Sequence, residues 1–199
     1  MRYRVARTDI INPEINSSEW ERAETGYKGV NRWKEYSPAP ITSFKMLRGK
    51  EGVSLLFDSE ERALRCEISE ENGAVYTDSC LEFFFKPDIH DPRYLNFELN
   101  PKGVLHLAIG EGRRGRTLLD TDRSIFNIVS DARDGDWRLK IYIPDSFILG
   151  LYDKISSVCK GNFYKCGDKT DHVHFGAWNE VETEKPDFHV PDFFGKINF

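Results

Sequence analysis

From Tyr94 to Asn100 apolar and polar side chains alternate without a break: Leu95, Phe97 and Leu99 on one side, Tyr94, Asn96, Glu98 and Asn100 on the other. A β-strand repeats every two residues, so this pattern commits one face to a core and leaves the other carrying carboxylate and amide groups. The same period runs through Val53–Phe57, Ala63–Ile68, Cys80–Phe85, Val104–Ile109, Trp137–Ile143 and His172–Trp178. Turn chemistry separates these segments, as in Asn100-Pro101-Lys102-Gly103 and Asp134-Gly135-Asp136. Short strands at this spacing predict an all-β chain, an antiparallel two-sheet β-sandwich. One or two short helices accompany it: Ser18-x-x-Glu21 has the form of a capping box, and Pro144–Tyr152 opens on a residue suited to a first helical turn. Tyr36–Thr42, with Pro38 and Pro40, reads as a loop, and nothing resembling a long linker divides residues 1–199, so a single domain is expected.

Composition removes several function classes. Lys and Arg number 28 against 33 Asp and Glu, a net charge of −5, which is unsuited to holding a phosphate backbone; no nucleic-acid partner is expected. No apolar run approaches the roughly 18 residues of a membrane helix, so no membrane partner is expected either. Aromatic residues make up 13% of the chain, too many for disorder. The four cysteines, Cys66, Cys80, Cys159 and Cys166, form no Cys-x-x-Cys pair, and Met1-Arg2-Tyr3-Arg4-Val5 is no export signal. Reduced thiols in a cytoplasm are the expectation, with an extracellular location if a leader was removed.

The polar face of the central hairpin carries the chemistry. On Cys80–Phe85 the core side takes Leu81, Phe83 and Phe85, leaving Cys80, Glu82 and Phe84 outward. With residue 86 opposite 94, Glu82 faces Glu98, and two facing carboxylates call for a nearby cation or a shared proton. Arg65, Glu67, Arg138, Lys140 and Tyr142 are outward on other strands. A face carrying Arg65, Glu82, Asn96, Glu98, Asn100 and Lys140 offers the dense planar donors and acceptors that sugar hydroxyls need; an ordinary solvated face laced with salt bridges is the alternative.

Val75-Tyr76-Thr77-Asp78-Ser79-Cys80-Leu81-Glu82-Phe83-Phe84 resembles the Asp-Ser-x-Glu-x-Phe segment of family 9 carbohydrate-binding modules, of the DOMON-like β-sandwich group. Asn96 to Gly103, Ser18-Glu19-Trp20 with Ala23, Trp137 to Pro144, Gly161 to Asp168, His174 to Trp178, and Phe188 to Gly195 resemble further segments of that family in the same order. The resemblance implies a non-catalytic saccharide-binding protein in which two aromatic rings clamp a sugar. Those positions fall on Tyr76, six residues before Glu82, and on Phe188, three before Pro191; the family has Trp at both. It implies Glu82 as a hydroxyl ligand, places a family Arg at Glu98, a reversal of charge, and aligns Lys165 with a polar site residue. Joined to the outward polar residues of the sheet face, these give the candidate ligand set Tyr76, Glu82, Asn96, Glu98, Asn100, Arg65, Lys165 and Phe188.

Other chemistry was open to these residues. Glu82 and Glu98 could serve as the carboxyl pair of a glycoside-active enzyme, and a degenerate interaction domain is a third reading. No cofactor is expected, although Asp131, Asp134 and Asp136 offer oxygens for a structural calcium. His172 and His174, with Cys166 and His189, are zinc-type ligands. Haem would need an axial Met/His or His/His pair, and the chain has two methionines, Met1 and Met46. Trp20, Trp33 and Trp137 are expected in the core, as is Trp178, for which a pocket floor is the other reading. Gly110 to Arg116, with three arginines and no following helix, reads as a flexible connection able to touch an anionic ligand.

Overall fold

Alternating strands bury their apolar rows only by stacking two sheets, and the chain does so. The computed structural model describes residues 1–28 and 32–199. The larger sheet runs β1 (Arg2–Arg4), β14 (Gly195–Asn198), β12 (Val158–Gly167), β6 (Cys80–Lys86), β7 (Tyr94–Leu99), β8 (Leu105–Gly110), β9 (Thr117–Leu118), with β13 (His174–Ala177) also paired to β12. The smaller sheet runs β10 (Val129–Arg133), β11 (Asp136–Pro144), β5 (Gly52–Ser59), β4 (Thr42–Arg48), β2 (Ala6–Arg7), with β3 (Gly26–Lys28) on β4. Among the described residues the ladders are antiparallel except two edge pairs, β1 with β14 and β2 with β4, which are parallel.

The core lies between the sheets. Leu81, Phe83, Phe85, Leu95, Phe97 and Leu99 from the larger sheet meet Phe44, Leu55, Phe57, Leu139 and Ile141 from the smaller. Phe163 stacks on Phe44 at 3.5 Å between ring centroids and on Phe83 at 4.7 Å. Trp137 and Trp178 belong to this core, whereas Trp33 packs on the outer face of the larger sheet and Trp20 on that of the smaller. Two of the expected helices form as short turns: a 3-10 helix at Ser18–Arg22 capped by Ser17, and α1 (Asp145–Leu149), where Pro144 is the cap rather than the first helical residue. Among the described residues no helix is long and apolar enough to cross a membrane.

One expected strand is absent. Ala63–Ile68 has the right alternation, but side chains take its backbone donors: Ala63 N–H bonds Asp134, Arg65 N–H bonds Ser79 Oγ, and Glu67 and Ile68 N–H both bond Asp78. With those donors engaged the segment cannot join a ladder, and Ala63 adopts a left-handed backbone with φ of 52°. The turn after β7 is closed by Asn100, whose Oδ1 accepts from the N–H groups of Lys102 and Val104, and by Gly103 at φ 77°, where a side chain would be strained.

Candidate functional site

The outer face of the larger sheet is built in rows. His106, Glu98, Glu82 and Tyr164 lie opposite one another across β8, β7, β6 and β12; Ala108, Asn96, Phe84 and Asn162 form the next row; Cys80 faces Cys166 one step the other way. Loops rise around these rows. The 3-10 turn Val75–Thr77 presents Tyr76, the connection after β8 brings Arg113 and Arg116, and the segment before β14 brings Lys185, Phe188 and His189. Together with Tyr36, Phe175 and Asp168 they enclose a cavity of about 530 Å³, within the range of small-molecule sites.

Five of the sequence-predicted ligands line this cavity: Tyr76, Glu82, Asn96, Glu98 and Phe188. Tyr76 is 40% exposed, with its ring plane nearly perpendicular to that of His106 and 6.4 Å between ring centroids. Phe188 is 8% exposed and stacks on Tyr164 at 4.0 Å, so one of its faces is covered. Asn96 Nδ2 donates to Glu98 Oε1 at 2.7 Å, while its Oδ1 accepts from Arg116 Nε at 3.0 Å. Arg116 also lies over the Tyr94 ring at 4.3 Å and donates to the Tyr94 carbonyl. Arg116 thus stands beside the facing carboxylates, joined to Glu98 through the Asn96 amide, and His106 lies opposite Glu98 on the next strand.

Three predicted ligands lie elsewhere. Lys165 follows Tyr164 and precedes Cys166, both of which face outward, so the strand period turns it inward. It is fully buried, paired with Glu61 at 2.8 Å and hydrogen-bonded to His174 Nε2 at 3.0 Å. Asn100 is saturated by structure: beyond its turn contacts, Nδ2 donates to the Ile68 carbonyl and to Asp78. Arg65 pairs with Glu67 at 2.6 Å and lies 3.6 Å from Asp78. Lys140 is on the other sheet, bonded to Asn12 and Asn127. His174 has its second ring nitrogen on the His172 carbonyl, Asp131 pairs with Arg133, and Asp134 accepts from Ala63. Of the other lining residues, Tyr36, Phe84, His106, Asp168 and Phe175 carry no ligand role in the sequence, Arg113 and Arg116 belong to the connection expected to touch an anionic ligand, and His189 reads there only as a zinc-type ligand.

Burial sets the protonation of the cavity. It raises the Glu98 pKa above 4.5, with His106, Asn96 and Arg116 opposing the shift. Burial lowers His189 from 6.5 to about 3, helped by Arg116 and Arg113, so its ring is neutral and hydrogen-bonds the Tyr94 hydroxyl at 2.8 Å. The two groups act in opposite senses. The folded state holds the Glu98 proton more tightly than the unfolded chain, so that contribution is lost as pH rises from 4.5 through the folded value. For His189 the unfolded chain takes the proton first, so stability is lost as pH falls from 6.5 toward 3. Glu98→Gln is therefore expected to gain stability over the wild type on the alkaline side of this window and not below 4.5, as read by urea midpoints across pH. Parallel wild-type and variant profiles would contradict the assignment.

The sequence model described as carbohydrate-binding family 9 matches residues 17–199. A candidate carbohydrate-binding protein of Bacteroides uniformis ATCC 8492 is 29% identical, with a TM-score of 0.87 over 100% of this chain and 98% of that one. A family 9 module of Caldicellulosiruptor kristjanssonii in complex with cellotriose shares the fold at a TM-score of 0.69 and 14% identity, over 100% of this chain and 93% of that one. The glucose complex of a module from the same organism gives 0.64 at 14%, covering 100% and 95%. Alpha-galactosidase 2 of Hypocrea jecorina is 37% identical over 97 residues, 46% of this chain but 12% of that enzyme's length. With its two-sheet fold and a match over nearly its whole length, the chain belongs to carbohydrate-binding family 9.

Proposed function

We propose that the chain is a non-catalytic binder of a saccharide in the cavity above β6 and β7, with Tyr76 and Phe188 as its aromatic clamp. The observation that carries the reading is the convergence of Tyr76, Glu82, Asn96, Glu98 and Phe188, from separate stretches of chain, on one space of about 530 Å³. Tyr76 is the open platform, stacking on the C–H face of a pyranose ring, and Phe188 is the wall. Glu82 and Glu98 accept from hydroxyls, and Arg116 donates beside them. The cellotriose and glucose complexes of the two Caldicellulosiruptor structures support a sugar as the ligand class. Arg65, Asn100 and Lys165 are left out of the contact set, since none of them lines the cavity.

Glycan-array screening followed by calorimetric titration tests this. Tyr76→Ala is expected to weaken binding by about 3- to 10-fold, the worth of one stacking contact. An unchanged affinity removes Tyr76 from the clamp. A glycoside-active reading is favoured by one observation, a Glu98 carboxyl whose proton affinity is raised opposite Glu82. Release of reducing ends from oligosaccharides, abolished in Glu98→Gln, would establish the enzyme in place of the binder.

A further inference from the structure

We infer that Cys80, Glu82 and Cys166 form a binding site for one thiophilic divalent cation of the zinc class in the floor of the cavity. Cys80 and Glu82 are two residues apart on β6 and so share a face, and Cys166 lies directly opposite Cys80 on β12. Their ligand atoms all lie within 4.8 Å of one another, and all three residues are buried. Among the described residues this is where three metal-type ligands come together. The Cys166 thiol already donates to Glu82 Oε1 at 2.9 Å.

A tetrahedral zinc-class ion, with sulfur at about 2.3 Å and oxygen at about 2.0–2.2 Å, needs donors roughly 3.5–3.8 Å apart. Side-chain rotations must open the 2.9 Å Cys166–Glu82 pair to that spacing and draw any wider pair in from within 4.8 Å. Two sulfurs and one oxygen select a soft or borderline cation over calcium or magnesium, which take oxygen alone. Three protein ligands leave a fourth position, and since Glu82 and Cys166 line the cavity, that position faces it. On binding, each thiol passes its proton to solvent and no atom changes oxidation state. Two protons leave as one dication enters, so the charge beside Glu98 is unchanged. The remaining thiols are placed differently: Cys159 donates to the carbonyls of Pro87 and Ser156, and Cys66 sits on the irregular segment between β5 and β6. The inference does not rest on saccharide binding, because a cation can occupy this site with or without a sugar.

The test is titration of the reduced, metal-stripped full chain with Co²⁺, read by thiolate-to-metal absorption, followed by displacement with Zn²⁺. The expected result is one equivalent bound per chain, with the band retained in Cys66→Ser. Cys80→Ser and Cys166→Ser should each bind at least about 100-fold more weakly, beyond what loss of an outer-shell partner costs. Circular dichroism checks that each variant folds. Absence of a stoichiometric band in the reduced wild type overturns the proposal whether or not the variants fold. So does a band that disappears in Cys66→Ser and persists in Cys166→Ser. Glycan titration with chelator present reads the sugar site separately.

Discussion

Alanine in place of Lys165 is expected to lower the free energy of unfolding by about 3–5 kcal/mol, enough to threaten folding at 37 °C. The reason is what the substitution leaves behind. Glu61 is buried, with Lys165 on one carboxylate oxygen at 2.8 Å and the Ser79 hydroxyl on the other at 2.9 Å. Removing the ammonium strands that carboxylate in the interior without its counter-ion. Breaking one partner of a buried pair costs more than the pair contributes. The double variant Lys165→Met with Glu61→Gln should recover most of the loss, since it removes both charges. Urea unfolding at pH 7 separates the possibilities: a loss below about 1 kcal/mol would contradict a structural role. Measured below its unfolding temperature, the double variant should keep its saccharide affinity.

Glu82→Ala is expected to weaken saccharide binding by about 10- to 100-fold, the range for a hydrogen bond to a charged acceptor. Glu82 is buried on the cavity floor between Tyr164 and Glu98 in register, where an incoming hydroxyl meets little competing water. The loss should exceed that of Tyr76→Ala, because the Tyr76 ring is partly solvated and supplies dispersion rather than a charged acceptor. Calorimetry with chelator present keeps the result clear of any cation at the same carboxylate. An affinity within twofold of wild type would remove Glu82 from the ligand contacts.

Much of the site was legible because two adjacent strands carry their chemistry in strict alternation. The period of two on β6 and β7, with one assumed pairing, is enough to set Glu82 opposite Glu98. Carrying the same register one strand further would have added His106 and Ala108 opposite Glu98 and Asn96. β12 was illegible by that route. It is covered on both faces, and both faces mix polar with apolar residues: Gly161, Phe163 and Lys165 inward, Asn162, Tyr164 and Cys166 outward. That is why Lys165, placed by resemblance alone, was assigned to the wrong side. Ala63–Ile68 shows the converse, an alternating pattern whose backbone donors are claimed by Asp78, Ser79 and Asp134 before a neighbouring strand can use them. The cavity walls come from loops, and Arg116 reaches Asn96 from a glycine-rich connection with no periodicity to announce its direction.

The central claim is that a sugar sits between Tyr76 and Phe188 above the facing carboxylates. A crystal structure of the full chain with the tightest ligand from the glycan array tests it most directly. The account predicts a pyranose ring stacked on Tyr76, with hydroxyls within hydrogen-bond reach of Glu82 and Glu98. A saccharide bound at saturation on any other surface, with the cavity unfilled, would contradict it.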